Sequence, residues 1–173
     1  MLTAEQRQKN LEELKKYKVV LNRDPSVSGL SICYSQVAEL EEYKNRVSDI
    51  LADAISDLFN AKKMVVDSKA TYEMEFNKKS IEDTIKILKS ADQRSAAVNV
   101  LLTNYLRGIS ASELELLSAT NFHNRVQLVY SELSDKIEAI KQQVNIYNTM
   151  YRKGEFVQEK IPHHDKIRIG LEG

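Results

Sequence analysis

The sequence predicts an all-α fold: an elongated antiparallel bundle of two or three long helices, with a short N-terminal helix and a C-terminal β-hairpin or extended arm. Glycine and proline, the residues that most strongly interrupt regular structure, are missing from residues 30–107 and again from residues 109–153. Within both stretches apolar residues recur every three or four positions, which is the spacing of one helix face. Aromatic residues make up only 7% of the chain and tryptophan is absent, a composition typical of helical coils.

These observations divide the chain into three parts: residues 1–29, a short helix and loop; residues 30–154, the long-helix bundle; and residues 155–173, the hairpin or arm. In the first part, Thr3 and Gln6 have the spacing of a capping box, so a helix is expected to follow. The loop is predicted over residues 22–29 (NRDPSVSG), because its proline, glycine and serines interrupt a helix.

The first long helix is expected to begin between residues 32 and 35. A pause is predicted at residues 77–80, because Ser80 followed by acidic residues resembles a fresh N-cap. The apolar stripe before the pause is formed by Val37, Leu40, Tyr43, Val47, Ile50, Ala54, Leu58, Ala61 and Val65. The stripe after it is formed by Ile81, Ile85, Leu88, Ala91, Val98, Leu102 and Tyr105.

Gly108 is predicted to end this segment, and residues 110–113 (SASE) to cap the last helix, which runs to the cationic turn and glycine at residues 152–154. Its apolar stripe is formed by Phe122, Val126, Val129, Leu133, Ile137, Ile140, Val144, Tyr147 and Tyr151. The mean step of this stripe is about 3.6 residues, which predicts little supercoiling. Since long stripes need partner helices, a homo-oligomer is expected, with the members of this stripe from Val126 to Tyr147 at its interface.

Composition excludes several classes of function. The chain has 25 basic and 25 acidic residues. It therefore lacks the excess of positive charge that would predict tight binding to duplex DNA. Cys33 is the only cysteine, which excludes an intrachain disulfide and favours a reducing compartment. No signal peptide or membrane span is predicted, and no nucleophile elbow, phosphate-binding glycine loop or zincin motif occurs. We therefore expect a soluble, intracellular, non-enzymatic protein without a cofactor.

Two groups of residues have metal-ligand chemistry. One is an acidic stripe on the first long helix, formed by Glu42, Asp49, Asp53 and Asp57; without histidine partners on a facing helix it is interpreted as a solvated face. The other is His163-His164-Asp165, which is interpreted as a polar turn because no third ligand cluster accompanies it. No metal site is predicted.

A basic cluster between residues 62 and 94 is the strongest candidate for a binding surface. It contains Lys62, Lys63, Lys69, Lys78, Lys79, Lys86, Lys89 and Arg94, with Tyr72 and Phe76 among them. Lysines neutralise phosphates, and exposed aromatic rings stack on unpaired bases, so the mixture suits single-stranded nucleic acid. The same residues also fit a solvated helix face, because Glu75 with Lys79 and Glu82 with Lys86 have the spacing of helical ion pairs. Both interpretations are open at this stage.

The order of several motifs resembles tailed-phage recombination mediators over roughly residues 61–154. The resemblance is carried by Lys62-Lys63, Tyr72, Leu88-Lys89-Ser90-Ala91-Asp92, Ile137-Glu138-Ala139-Ile140-Lys141 and Arg152-Lys153-Gly154. It implies a small, all-helical, ring-forming protein that binds single-stranded DNA and helps to load a recombinase onto strands coated by single-strand-binding protein. It also implies DNA contact at Lys62, Lys63 and Lys69, near Tyr72, and assembly through the last helix.

This chain departs from the pattern in its longer N-terminal region, in added residues around 103–120 and in its tail at residues 155–173. Extended termini that dock on neighbours are common in particle components. The alternative expectation is therefore a phage virion structural protein, such as a connector or neck protein, that uses its termini as docking arms. The first function would place the protein in the cytoplasm of the infected cell, and the second in the virion.

Overall fold

The computed structural model describes residues 1–17 and 25–152, and over these residues the protein is all-α with no strand. The helices, in chain order, are α1 (Ala4–Leu14), α2 (Pro25–Ser28), α3 (Leu30–Ser80), α4 (Asp83–Lys86), α5 (Ala91–Leu101) and α6 (Thr103–Arg152). The all-α prediction is confirmed. The predicted β-hairpin or arm, the histidine pair and the cationic end of the last helix at residues 153–154 lie outside the described residues.

Two long helices dominate the structure. α3 has 51 residues and α6 has 50, so each is about 75 Å long at 1.5 Å per residue. They are antiparallel: Lys141 Nζ donates to Glu41 Oε1 at 2.8 Å near one end of the hairpin, and the hydroxyls of Ser68 and Ser112 lie 3.0 Å apart toward the other. From Glu41 to Ser68 is 27 residues and from Ser112 to Lys141 is 29 residues, so one register holds along the hairpin.

The core between these helices follows a heptad repeat. On α3 one series of residues, spaced seven apart, is at most 1% exposed: Cys33, Leu40, Val47, Ala54 and Ala61. On α6 a matching series, also spaced seven apart, is at most 3% exposed: Ser112, Ala119, Val126, Leu133 and Ile140. This is the repeat of a left-handed coiled coil, so the most deeply buried positions of α6 follow a heptad rather than the 3.6-residue step of the predicted stripe. The prediction followed large apolar side chains, which omitted Ala119 and Ser112 and included Tyr151, a residue that is 70% exposed.

The stripe predicted for oligomerisation is part of this intrachain core. Its buried members are Val126, Leu133, Ile137, Ile140 and Val144, while Val129 packs against the core and Tyr147 is half-buried. These side chains face α3 of the same chain. The stripe is therefore not a free surface, and the two long helices cover each other's apolar faces.

Small side chains fill the core toward the tip of the hairpin, where α3 turns into α4. Ala54, Ala61 and Ala119 are fully buried, and Ser68 lies against Ser112. Because protein interiors contain few voids, side chains this small require the two backbones to approach closely. The other half of the core, with Leu40, Leu133 and Ile140, carries larger residues.

The predicted helix boundaries are met only in part. The capping box is confirmed: the backbone N–H of Gln6 donates to Thr3 Oγ1 at 3.1 Å, and that of Thr3 donates to Gln6 Oε1 at 2.8 Å. α3 begins slightly earlier than predicted, and one short helix, α2, occupies residues 25–28 of the predicted loop. α3 ends at the predicted pause, but Ser80 is not the next N-cap, because its hydroxyl donates to the carbonyl of Phe76 at 2.7 Å.

The predicted stop at Gly108 is wrong, because α6 begins at Thr103 and continues through this glycine. Among the described residues only Gly29 has a positive φ, so Gly108 does not adopt the conformation of a helix-ending glycine. Ser110 and Ser112 are not N-caps; their hydroxyls donate back to the carbonyls of Leu106 and Gly108. Burial of Ser112 against Ser68 favours a continuous helix, and the preceding break falls at Leu102 instead.

The N-terminal segment is not a separate arm, because α1 packs on the hairpin. Arg7, Leu14 and Tyr17 are buried, and the Tyr17 ring lies 5.0 Å from that of Tyr43 on α3. At the tip, α4 and α5 form a second small core with Ile85, Val98 and Leu102. In the part of the chain that the structure describes, no helix has a segment long and apolar enough to span a membrane.

Candidate nucleic-acid interface

Ion pairs divide the predicted basic cluster into two groups. Four of its lysines lie against carboxylates: Lys69 and Glu113 at 2.8 Å, Lys78 and Glu75 at 2.8 Å, Lys79 and Glu82 at 2.6 Å, and Lys86 and Asp83 at 3.7 Å. The hydrogen bond to Glu75 raises the pKa of Lys78, and that to Glu82 raises the pKa of Lys79. These lysines keep their charge, but each is already partnered by a carboxylate.

Lys62 and Lys63 form the other group on α3. Both side chains are exposed, and neither forms an ion pair with any residue in 1–17 or 25–152. They follow Ala61, a fully buried core position, and project from the outer side of the helix. Two ammonium groups are thus available to an anion at this point on the rod.

An exposed aromatic ring lies one helical turn from these lysines. Phe59 is 67% exposed, and it precedes Lys62 and Lys63 by three and four residues, the spacing of neighbours on a helix surface. Val66 continues the same face and is 64% exposed. At 100° per residue, the four side chains occupy a sector of roughly 100°. We call the surface formed by Phe59, Lys62, Lys63 and Val66 the outer α3 face.

Phe59 escaped the sequence-based prediction, although the sequence contains a signal for it. The apolar stripe of α3 passes through Leu58 and Ala61, so Phe59 lies off the stripe and an aromatic residue there must face outward. Large aromatic residues on a soluble helix are more often buried than exposed. An exposed one beside other apolar side chains marks an interaction surface.

Tyr72, which was predicted to contact nucleic acid, lies elsewhere. It follows Lys63 by nine residues, or two and a half turns, which places it on the opposite side of α3. Its side chain is half-buried beside Phe76, with ring centroids 5.9 Å apart, and its hydroxyl donates to Asn99 Oδ1 at 2.6 Å. The structure therefore brings Lys62 and Lys63 together with Phe59, and places Lys69 and Tyr72 outside this group.

The acidic stripe on α3 has two different environments. Glu42, Asp49 and Asp53 are exposed, as predicted for a solvated face. Asp57 is 2% exposed, so its assignment to that face is wrong. Its carboxylate accepts the backbone N–H of Leu2 at 2.8 Å and Arg7 Nε at 2.7 Å.

Arg7 on α1 binds this carboxylate on α3 and also contacts α6. Its Nη1 donates to Ser118 Oγ at 2.9 Å, and its Nη2 to Glu115 Oε1 at 2.6 Å, both on α6. The hydrogen bond to Asp57 raises the pKa of Arg7, and the bond to Glu115 adds to this effect. Each of the three guanidinium nitrogens donates to a different residue, which suits a structural anchor for α1.

No group of three or more His, Cys, Asp or Glu side chains among the described residues is placed to hold a metal ion. Comparisons with protein-family models, with curated proteins and with solved structures gave no match to this chain.

Proposed function

We propose that this protein binds single-stranded DNA through the outer α3 face and acts without catalysis as a recombination mediator, helping a recombinase to assemble on the strand. One observation carries the proposal: an exposed aromatic ring, Phe59, lies within one turn of two exposed lysines that have no carboxylate partner among the described residues.

The chemistry of this face favours an unpaired strand over a duplex. A base can stack on Phe59 only if one face of the base is uncovered. Inside a duplex both faces of each base are covered by its neighbours. Lys62 and Lys63 lie where they can neutralise the phosphates next to that base. Because the chain has no net charge, attraction to nucleic acid has to come from such a local surface and not from the whole molecule.

Salt dependence gives a quantitative expectation. Each phosphate that a protein neutralises on a single strand contributes about −0.7 to the slope of log K against log salt concentration. Two lysines therefore give a slope of about −1.4 for one chain. Several chains on one strand would add their contributions.

The test is fluorescence anisotropy of a labelled single-stranded oligonucleotide at several salt concentrations. Lys62→Glu with Lys63→Glu is expected to abolish most of the salt-sensitive binding, and Phe59→Ala to weaken binding by roughly 1–3 kcal/mol, as for loss of a stacked base. The matched control is Lys15→Glu with Lys16→Glu, an exposed adjacent pair that changes the net charge equally.

Equal loss of affinity in the control pair would contradict the proposal, because charge alone would then explain binding. Unchanged affinity in the Lys62 and Lys63 variant would also contradict it. Circular dichroism of each variant shows whether the helices are retained.

Self-association in such a protein would need surfaces other than the predicted stripe. The outer side of α6 carries Leu114, Leu117 and Leu128, which are all more than half exposed. The alternative function, a particle component with docking arms, would depend on residues 155–173, since α1 is held on the hairpin by Arg7.

A further inference from the structure

A groove lies between α5 and the last turns of α3, away from the outer α3 face. It consists of two adjacent openings of about 400 and 240 Å³ that share Phe76 and Ser95. Tyr72 and Asn99 lie at one end of the groove, and Ala91 and Arg94 at the other. We call it the tip groove.

Small side chains leave an aromatic surface accessible within this groove. The Phe76 ring packs on the small core of the tip, but its neighbours across the groove are Ala91 and Ser95, which are too short to cover it. The hydroxyl of Ser80 is bonded to the carbonyl of Phe76 and so is turned toward the backbone. A large apolar side chain from another molecule would fill this space against the ring, as interface anchors do.

The two ends of the groove have opposite charge. Arg94 is exposed and has no ion-pair partner among the residues that the structure describes. It lies in the first turn of α5, an 11-residue helix whose N-terminus carries partial positive charge. Glu73 lies at the end near Tyr72. A ligand with carboxylates at one end would therefore bind in one orientation, with those carboxylates at Arg94.

We propose that the tip groove binds a short acidic peptide segment of a partner protein, with one large apolar side chain packed on Phe76 and a neighbouring carboxylate paired with Arg94. A nucleic-acid strand fits less well, because its phosphates would run the length of the groove and meet Glu73, whereas a peptide can carry its carboxylates at the Arg94 end alone. The site is distinct from the outer α3 face, since Phe76 follows Lys62 by 14 residues, about 21 Å along the helix. The proposal does not depend on DNA binding.

The test uses the full chain and three fluorescein-labelled decapeptides. The first has one phenylalanine with aspartates on one side of it and uncharged polar residues on the other, the second replaces each aspartate with asparagine, and the third replaces the phenylalanine with alanine. Only the first is expected to bind by fluorescence polarisation. Vesicles of phosphatidylcholine with phosphatidylglycerol are added as a competing probe, and they are expected not to displace it.

Two variants test the groove itself. Arg94→Glu is expected to weaken binding of the acidic peptide roughly tenfold or more, since it removes a charge-assisted hydrogen bond. Ser95→Trp is expected to fill the space over Phe76 and to abolish binding. The matched control is Lys89→Glu, an exposed cation that does not line the groove and whose reversal is expected to change affinity little.

Equal binding of the aspartate and asparagine peptides, or equal loss in the Lys89 and Arg94 variants, would overturn the proposal. Displacement of the peptide by vesicles would also overturn it, in favour of a lipid-binding tip. Binding of single-stranded DNA measured on the same Arg94 variant separates the two proposals, because that activity is expected to be unchanged.

Discussion

Arg7 shows how a single charged residue can decide where an element packs. Its side chain is 5% exposed, and its three nitrogen donors reach Asp57, Glu115 and Ser118 on two different helices. These bonds offset part of the cost of burying the guanidinium, and they fix the position of α1. The role of Arg7 is therefore to specify one docked arrangement of the N-terminal helix.

Replacing Arg7→Met is expected to lower the free energy of unfolding by about 3–5 kcal/mol, because it leaves Asp57 buried without its cation. Urea unfolding followed by circular dichroism measures the change. Lys69→Met is the control, since the pair of Lys69 with Glu113 also joins α3 to α6 but is half exposed. Exposed pairs contribute about 0–1 kcal/mol.

A second substitution identifies the source of this loss. If the unpaired carboxylate is responsible, Arg7→Met combined with Asp57→Leu should recover part of the stability that Arg7→Met alone removes. A double variant no more stable than the single one would show that Arg7 stabilises the fold through its packing instead.

The candidate site was only partly predictable from sequence. Lys62 and Lys63 were predicted from the basic cluster and from the family resemblance, and both side chains are exposed. The separation of Lys69 from them could not be predicted, because it depends on Glu113, 44 positions away in the chain. Asp57 was assigned to the wrong environment for the same reason, since its partner Arg7 precedes it by 50 positions.

At the scale of elements, the close contact of α3 with α6 toward the tip depends on small core residues. Ala61→Leu is expected to destabilise the protein by about 1–3 kcal/mol, because the added atoms have no space in a fully buried position. Ala52→Leu is the matched control on the same helix, and it should be nearly neutral because Ala52 is exposed. Thermal unfolding of the two variants measures the difference, and equal effects would contradict the described register.

Gly108 provides a test of the continuous α6. A Cβ added at this position meets no atom within 4 Å, and the backbone φ is not positive. Gly108→Ala should therefore stabilise the protein by about 0.5–1 kcal/mol. A glycine in the left-handed conformation, as the sequence pattern predicted, would give the opposite sign in chemical denaturation.

Element existence was predictable, whereas continuity was not. The absence of glycine and proline indicated long helices, but the pause predicted at residues 77–80 falls just after Ser80, between α3 and α4. The break before α6 was misplaced from Leu102 to Gly108, because a glycine was weighed more heavily than the packing of Ser112 against Ser68. Tertiary contacts of this kind override the local preference for ending a helix at glycine, and they cannot be predicted from the neighbouring residues alone.

At the scale of the whole described structure, α3 and α6 form a rod whose two helices are held in one register. Cysteine substitution tests this directly. Ser68→Cys with Ser112→Cys should form an intramolecular disulfide under mild oxidation, because the two hydroxyls are 3.0 Å apart. In Ser68→Cys with Ala119→Cys, the second cysteine lies one heptad, about 10 Å, further along α6, so no disulfide should form.

Mass spectrometry of the oxidised monomers measures the result, and Cys33 is not expected to compete because it is 1% exposed. Cross-linking in the second variant rather than the first would show that the helices are paired one heptad away from the described register.

The position of Arg7 has a consequence for the order of events during synthesis. α1 is synthesised before α3 and α6, yet its 11 residues are too few for a stable isolated helix. Its anchor needs Asp57 and Glu115 together, and these meet only after the chain has reversed direction and α6 has closed on α3. α1 is therefore made before its two partner helices but docks after them, onto a hairpin that has already formed.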